Sequence, residues 1–146
     1  MLAHPDVTSA AAIGRPDAHA GEVPVAYVTV AAGASTNEEE LRAWARQHVG
    51  ERAAVPKSVT IVDALPLTSV GKPYKLPLRA DAARRAIREA LKGFQDIDDI
   101  DTDIAHGSAV VIVTLRPSAD QAAVRAELDR YTVPSRIKEH SSTPKP

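Results

Sequence analysis

The chain has 146 residues, with 18 basic and 19 acidic side chains and no cysteine. That length predicts one domain of ordinary size, or one domain with a small appendage. The near-neutral charge argues against a nucleic-acid partner, and the lack of cysteine excludes disulfides and thiol-based metal sites or nucleophiles. No apolar run approaches the roughly 20 residues of a bilayer span, and the N-terminus shows no basic-then-apolar signal, so we expect a cytoplasmic protein without a membrane span.

The first ninety residues alternate between strand-like and helix-like patterns. In chain order they are a strand at 7–16, a strand at 22–30, a helix from a capping box of Thr36 and Glu39 to a stop at Gly50, a strand at about 57–63, a proline-rich loop, and a helix that starts at Pro77. The second helix carries an apolar stripe: Leu78, Ala82, Ala86, Ile87, Ala90 and Leu91. The order β-β-α-β-loop-α predicts a small two-layer α/β sandwich, an α+β fold, over residues 1–92.

Residues 93–140 predict a β-α-β-like extension, packed on the first domain or on a partner. An acidic run, DIDDIDTD, indicates a solvated linker or an edge strand; it precedes an apolar strand at 109–115, a helix capped by Ser118 with Gln121, and a strand in VPSRIK. The extension aligns loosely with part of the first domain, which indicates either a degenerate repeat or two units that follow the same packing rules. The tail, 141–146, is predicted to be disordered.

The stretch LPLTSVGKPYK holds one lysine, Lys72, between Gly71 and Pro73. A proline disfavours helix in the preceding residue, so Pro73 favours an extended backbone at Lys72, while Gly71 permits a sharp turn and close approach by another molecule. Thr68 and Ser69 can fix the loop through local hydroxyl hydrogen bonds. The pattern therefore predicts an ammonium group held on a stiff loop, and phosphate or carboxylate oxygens are its natural ligands.

Two other interpretations of this loop compete with the first. A P-loop, G-x-x-x-x-G-K-[ST], is excluded, because Pro66 stands where the first glycine is needed and Pro73 where Ser or Thr is needed. Pro66 instead stiffens the entry to the loop. A solvated surface lysine in a proline-rich turn stays open on these few residues alone.

A wider set of motifs distinguishes these interpretations. In order, residues 1–90 carry HP-x-V, an alanine-rich strand with GRPD, GE-x-x-x-A-x-V, VP and P-x-T-x-x-G-K. As an ordered set they resemble the C-terminal domain of the adenylate-forming enzymes, which include acyl-CoA synthetases, adenylation domains of peptide synthetases and firefly luciferase. The turn DAHAGE is most similar to the fatty acyl-CoA synthetase branch.

The resemblance implies a role for Lys72 in a two-step reaction. It places Lys72 at the catalytic lysine position, where the ammonium contacts the substrate carboxylate and the nucleotide phosphate while a carboxylic acid and ATP, with Mg²⁺, give acyl-AMP. The small domain then rotates, and CoA forms the thioester. The resemblance also implies an N-terminal adenylation domain as partner, so we expect this chain alone to be inactive. A lysine acyltransferase that neutralises Lys72 would be a regulatory partner.

Several other residues are candidates for contacts with ligands or domains. Arg15 and Glu22, which flank the first turn, are candidates for CoA or interdomain contacts, with a structural salt bridge or solvated charges as the alternatives. Ala53 and Ala54 stand where the family often has an aromatic residue and a lysine, so the family's CoA phosphate contacts do not carry over there. No metal site is predicted, because the histidines are scattered and the acidic run lacks the glycine and glutamate of a calcium loop.

Together these observations predict the C-terminal domain fragment of an ATP-dependent acyl-CoA synthetase. One alternative is the C-terminal part of an amino-acid adenylation domain of a peptide synthetase, whose acceptor is a carrier protein. Another is a free-standing regulatory α/β module whose lysine loop binds an anion. The reading frame upstream of Met1 discriminates between these alternatives.

Overall fold

The computed structural model describes residues 3–140 and has the mixed α+β architecture that the sequence predicts. The described residues divide into two compact units: unit 1 comprises residues 3–15 and 22–79, and unit 2 comprises residues 16–21 and 80–140. The described residues form six strands and three α-helices: β1 (Val7–Asp17), β2 (Gly21–Val30), α1 (Glu38–His48), β3 (Val59–Ile61), α2 (Lys75–Ala90), β4 (Ile97–Ala105), β5 (Ser108–Leu115), α3 (Gln121–Leu128) and β6 (Ser135–Glu139). None of these helices combines the length and low polarity needed to cross a bilayer.

Unit 1 is built on a three-stranded sheet in the order β1-β2-β3. Strands β2 and β3 are parallel, with Ala26 opposite Val59 and Val28 opposite Ile61. Helix α1 connects these two strands, and its Leu41 is fully buried in one cluster with Val28 and Val59. Burial of a leucine side chain contributes about 1.5–3 kcal/mol, so this apolar face holds the helix on the sheet.

The first helix begins one residue later than the sequence predicts. Asn37 is its N-cap, and Asn37 Oδ1 accepts a 2.8 Å hydrogen bond from the backbone N–H of Glu40. The hydroxyl of Thr36 donates instead to the Asp6 carboxylate, which ties the helix entry to the start of β1. The predicted capping box of Thr36 and Glu39 is therefore wrong, because the Thr36 side chain is committed to a tertiary partner.

Strand β3 is shorter than predicted and covers Val59–Ile61 rather than 57–63. The backbone N–H of Ile61 donates to the Glu38 carboxylate at 2.7 Å. A side chain of α1 thus satisfies a strand donor that would otherwise be open to a further strand. This contact links the start of α1 to the edge of the sheet.

Helix α2 begins at Lys75, two residues before the predicted start. Pro77 therefore lies in the first turn, where a missing N–H removes no helical hydrogen bond. Of the predicted apolar stripe, Ala90 is half-buried and the other five residues are buried. Ala83, which the prediction omitted, is also buried and packs with Ile87 in the core of unit 2.

Unit 2 contains a second three-stranded sheet in the order β4-β5-β6. Strands β4 and β5 are antiparallel, with Ile100 opposite Val113, and a turn at His106 and Gly107 joins them with φ angles of 53° and 74°. Two positive φ angles give the primed turn that suits the twist of a hairpin. The acidic run therefore forms an edge strand, one of its two predicted states, and adds a strand to the predicted β-α-β elements.

Helices α2 and α3 cover one face of this second sheet. The buried side chains on that face form one cluster with the helices: Ile87, Leu91, Val111, Val113, Leu115, Val124 and Leu128. Helix α3 is capped by Asp120, whose Oδ1 accepts a 3.0 Å hydrogen bond from the backbone N–H of Ala123. The predicted cap, Ser118 with Gln121, is wrong, because Asp120 caps as well as serine does and stands next to the first helical residue.

The two units share the same order of elements and the same sheet topology. Each runs β-β-α-β, and in each sheet the last two strands are parallel with a helix between them in the chain. The register differs by two residues: Ala26 pairs with Val59, whereas its aligned counterpart Val111 pairs with Ser135 rather than Ile137. A register shift of two residues leaves each side chain on the same face of its sheet. The loose sequence alignment of the two halves therefore corresponds to a shared topology.

Candidate functional site

The lysine loop is a closed reverse turn between β3 and α2. The backbone N–H of Thr68 donates to the Lys72 carbonyl at 2.7 Å, and that of Gly71 donates to the Thr68 carbonyl at 3.0 Å. Leu67 and Pro73 form an isolated antiparallel bridge on either side of this turn. The chain therefore doubles back on itself and carries Lys72 on the returning arm.

Residue types that the sequence analysis selected make this turn. Gly71 has φ of +79°, a left-handed conformation that glycine adopts without the steric cost of a Cβ. The Thr68 hydroxyl accepts a 3.2 Å hydrogen bond from the backbone N–H of Lys72. The base of the loop is tied by a 2.7 Å hydrogen bond from Tyr74 N–H to the Pro66 carbonyl. Local hydrogen bonds therefore fix the backbone of the lysine from both sides.

The Ser69 hydroxyl does not help to fix the loop, contrary to the expectation from the sequence. Ser69 is exposed at the tip of the turn and forms no hydrogen bond with residues 3–140. Thr68 therefore provides the hydroxyl contact in this loop by itself. Below the turn, Leu65 is buried and anchors the entry of the loop to unit 1.

The side chain of Lys72 is exposed, and no carboxylate among the described residues lies within ion-pair distance of it. The same loop carries three exposed apolar side chains: Leu67 is 60% exposed, Val70 76% and Tyr74 42%. A cation in this position is free to bind an external anion. At about 4 Å and an effective dielectric near 20, one such contact contributes roughly 4 kcal/mol.

The two candidates at the first turn, Arg15 and Glu22, form no salt bridge with each other. The carboxylate of Glu22 lies across the backbone of Gly14, so close that a Cβ placed on Gly14 would be 2.1 Å from Glu22 Oε2. Glycine at this position thus leaves room for the Glu22 side chain. Arg15 is half-buried. The structural salt bridge that the sequence left as an alternative is therefore not formed.

A basic cleft on unit 1 was not predicted from the sequence. It has a volume of about 570 Å³ and is lined by four cationic and four other residues: Arg42, Arg46, Val49, Gly50, Arg52, Val55, Pro56 and Lys57. Arg42 Nη1 lies 3.8 Å from Glu39 Oε1, and Arg42 Nε is buried without a hydrogen-bond partner. A buried donor of this kind gains energy from any acceptor that reaches it. The cleft is therefore suited to an anionic ligand.

One signal for this cleft was present in the sequence. Arg42 and Arg46 are four residues apart, so they lie on the same side of α1. Arg52 opens the short 3₁₀ turn that follows α1, and Lys57 precedes β3. The exposed alanines of that turn, at positions 53 and 54, leave no aromatic ring beside the cleft.

Within residues 3–140, no three or more His, Asp or Glu side chains are arranged to hold a metal ion. The acidic residues of β4 follow an extended strand and do not close a coordinating loop.

Comparison with known proteins assigns the first part of the chain to a family. Residues 1–72 match the family model of the AMP-binding enzyme C-terminal domain, and the match ends at Lys72. The chain is 39% identical over 135 residues to marinolic acid–CoA ligase of Pseudoalteromonas sp. (strain SANK 73390), which covers 89% of this chain and 20% of that protein. It is 38% identical over 96 residues to acetyl-coenzyme A synthetase of Deinococcus radiodurans, which covers 66% and 15%.

Solved structures of related enzymes also match this chain. The amide bond synthetase McbA from Marinactinospora thermotolerans is similar with a TM-score of 0.51 and 43% identity, over 56% of this chain and 16% of that chain. Apo MatB from Rhodopseudomonas palustris is similar with a TM-score of 0.51 and 34% identity, over 54% and 16%. This chain therefore spans about a fifth or less of each of these four proteins.

The similarity to the Pseudoalteromonas ligase includes much of the extension, since a match over 89% of the chain must run well past residue 92. The first domain and the extension thus occur together in that relative. By their ordered motifs, their fold and these similarities, residues 1–72 belong to the AMP-binding enzyme C-terminal domain family.

Proposed function

We propose that this chain is the C-terminal part of an ATP-dependent acyl-CoA synthetase and that Lys72 is its catalytic lysine. The observation that carries the proposal is the exposed Lys72 ammonium, which has no carboxylate partner among residues 3–140 although the backbone beneath it is tightly hydrogen-bonded. Relatives named as CoA ligases and synthetases support the reaction class. An upstream domain would hold ATP, its Mg²⁺ and the carboxylic acid.

In the first half-reaction, a carboxylate oxygen attacks the α-phosphorus of ATP and pyrophosphate leaves, which gives acyl-AMP. Negative charge is redistributed over the carboxylate and phosphate oxygens, and Lys72 lies among them as a fixed positive charge. It gains and loses no proton and forms no bond to substrate. If the roughly 4 kcal/mol of one such contact arises mainly in the transition state, it corresponds to about three decades in rate.

In the second half-reaction, the thiol of CoA attacks the acyl carbon, AMP leaves, and a thioester is formed. We propose that rotation of this domain withdraws Lys72 between the two steps. The basic cleft then has a role, because Arg42, Arg46, Arg52 and Lys57 can bind the phosphates of CoA. They would replace the aromatic and lysine contacts that Ala53 and Ala54 cannot make.

One structural neighbour favours a second candidate for this step. The amide bond synthetase McbA is 43% identical over the matched part, more than the 34% of MatB. In an amide synthetase the acyl group of acyl-AMP passes to an amine, and the role of Lys72 in adenylation is the same. Supplying acyl-AMP with either CoA or an amine to the full-length enzyme distinguishes the two acceptors.

The same exposure makes Lys72 accessible to modification. An acyltransferase that acylates Lys72 Nζ would remove the positive charge and stop adenylation. The turn would remain intact, because its hydrogen bonds use the backbone and Thr68 rather than the ammonium.

The test is Lys72→Ala in the full-length enzyme, with Lys75→Ala as the matched control. Lys75 is also exposed and stands three residues away at the start of α2. We expect Lys72→Ala to lower acyl-AMP formation by about 10²–10⁴-fold and to spare thioester formation from supplied acyl-AMP. The control should change neither step by more than a few-fold. Equal losses in both half-reactions of Lys72→Ala would reject the assigned role.

A further inference from the structure

The face of the second sheet opposite helices α2 and α3 has a charge pattern that the proposed enzymatic role does not use. Helices α2 and α3 pack against the face that bears Val111, Val113 and Leu115. Because side chains alternate along a strand, the opposite face of β5 carries Val110, Ile112 and Thr114. We call this opposite face, with the residues of β4 and β6 beside it, the outer face of unit 2.

The register of the three strands arranges the outer face in rows. Two complete rows have the same order, a carboxylate on β4, a β-branched side chain on β5 and a cation on β6: Asp99–Thr114–Lys138 and Asp101–Ile112–Arg136. The charged side chains are exposed, and those of β5 are half-buried. The outer face is thus negative along one edge, apolar along the middle and positive along the other edge.

Most of these charges form no ion pair within the described residues, although Asp101 and Asp103 each accept a hydrogen bond from the next backbone N–H. Asp103, opposite Val110, lies 3.8 Å from Arg136 in a diagonal pair across the face. No ion pair within residues 3–140 involves Asp99, Asp101 or Lys138. Alternate residues of a strand are about 7 Å apart, so the three carboxylates of β4 repel one another along an exposed edge. A complementary surface would relieve that repulsion.

We propose that the outer face of unit 2 binds the outer face of a second copy of this chain. A two-fold axis that lies in the interface, nearly parallel to β5, places the negative edge of one copy against the positive edge of the other. Each row keeps its position along the strand direction, so it faces the same row of the other copy. Asp101 then lies opposite Arg136 of the other copy, and Asp99 opposite Lys138. Ile112 of each copy meets its equivalent on the axis. A pattern that changes sign across its centre is self-complementary, as an isologous contact requires.

The other two-fold arrangement of the same faces is disfavoured. An axis perpendicular to β5 within the interface would place β4 on β4 and bring like charges together. The charge pattern therefore selects a dimer in which the strands of the two sheets run in the same direction, at the crossing of about 30° that is usual for packed sheets.

The size of the surface sets the expected strength. Three strands are about 15 Å across, so the contact is smaller than the roughly 800 Å² per partner of a standard interface. We expect a weak dimer, with a dissociation constant between about 10 µM and 1 mM. Since exposed ion pairs are screened, its affinity should fall as salt is raised.

Sedimentation equilibrium of the 146-residue chain tests this directly, with charge reversals in the central row. Asp101→Lys gives a face that is positive at both edges of that row, and Arg136→Glu gives one that is negative at both edges. Each variant should remain monomeric at protein concentrations at which the wild type forms a dimer. An equimolar mixture of the two should form a heterodimer, because each face now complements only the other.

Glu89→Lys is the matched control, because Glu89 is exposed on α2 and the substitution changes the net charge as Asp101→Lys does. It should leave the dimer intact, and thermal unfolding should confirm that all variants fold. Three results would overturn the proposal. These are a wild type that stays monomeric up to about 1 mM, a dimer that survives both reversals, or a mixture that fails to associate.

Discussion

Replacing Gly71 by alanine perturbs the geometry of the lysine loop without changing its charge. Gly71 has φ of +79°, and a Cβ built on it meets nothing within 4 Å, so Gly71→Ala introduces backbone strain without a clash. An L-residue in this left-handed region costs about 1–2 kcal/mol. The exposed loop can release that strain by leaving its closed turn. We therefore expect the ratio of closed to open loop to fall by about 5–30-fold, which lowers the fraction of enzyme with a correctly placed Lys72.

The assay is the rate of acyl-AMP formation by the full-length enzyme, followed by pyrophosphate release. Gly33→Ala is the matched control, because Gly33 has φ of +80° and equally open surroundings, but lies in the turn between β2 and α1. We expect both substitutions to introduce similar strain, but only Gly71→Ala to slow adenylation, while thioester formation from supplied acyl-AMP is unchanged. The reasoning would be refuted if Gly71→Ala left adenylation intact, or if Gly33→Ala slowed it equally.

Three further predictions concern the basic cleft, a helix cap and the core. Arg46→Ala should raise the KM for CoA by about 5-fold and leave adenylation unchanged, since a partly exposed phosphate contact contributes about 1 kcal/mol; Arg88→Ala, a substitution of an exposed arginine on α2, should change neither. Asp120→Ala should lower the free energy of unfolding by about 1 kcal/mol and Ser118→Ala by much less, as measured by urea denaturation, and the reverse order would contradict the assigned cap. Ile87→Ala should cost about 2–5 kcal/mol in the same assay, because Ile87 is fully buried in the core of unit 2, and a cost below 1 kcal/mol would contradict that packing.

Parts of the fold with a strong local pattern were predictable. The alternation of β2 and the apolar stripe of α2 indicate their elements from neighbouring residues alone. The starts of α1 and α3 were missed by one or two residues, because Thr36 and Asn37, and likewise Ser118 and Asp120, are competing caps in the same segment. Only the tertiary bond from Thr36 to Asp6 decides the first competition.

Strand β4 shows where local sequence is insufficient. Its aspartates disfavour a strand by intrinsic propensity. Pairing with β5 and the burial of Ile100 against the helices outweigh that preference, and both depend on residues distant in the chain. The charge rows of the outer face likewise require the register of three strands, which no single strand defines.

In the candidate site, too, one part depends on neighbouring residues and another part depends on the fold. The lysine loop was predictable because Gly71, Pro73 and Thr68 act on the backbone within a few residues of Lys72. The basic cleft was only partly predictable: the spacing of Arg42 and Arg46 puts them on one side of α1, but Arg52 and Lys57 join them only in the fold. The family was predictable from the order of the motifs, which are spread over the first ninety residues.

The most direct test of the account is the rate of the chemical step with the Lys72 charge removed at nearly constant side-chain length. Single-turnover pyrophosphate release by full-length enzyme carrying Lys72→Met isolates that step from substrate binding and product release. The account predicts a loss of about 10²–10⁴-fold at saturating ATP and acid, with normal transfer from supplied acyl-AMP to the acceptor. A rate of pyrophosphate release within about 3-fold of wild type would contradict it, because less than 1 kcal/mol would then come from the positive charge on the loop.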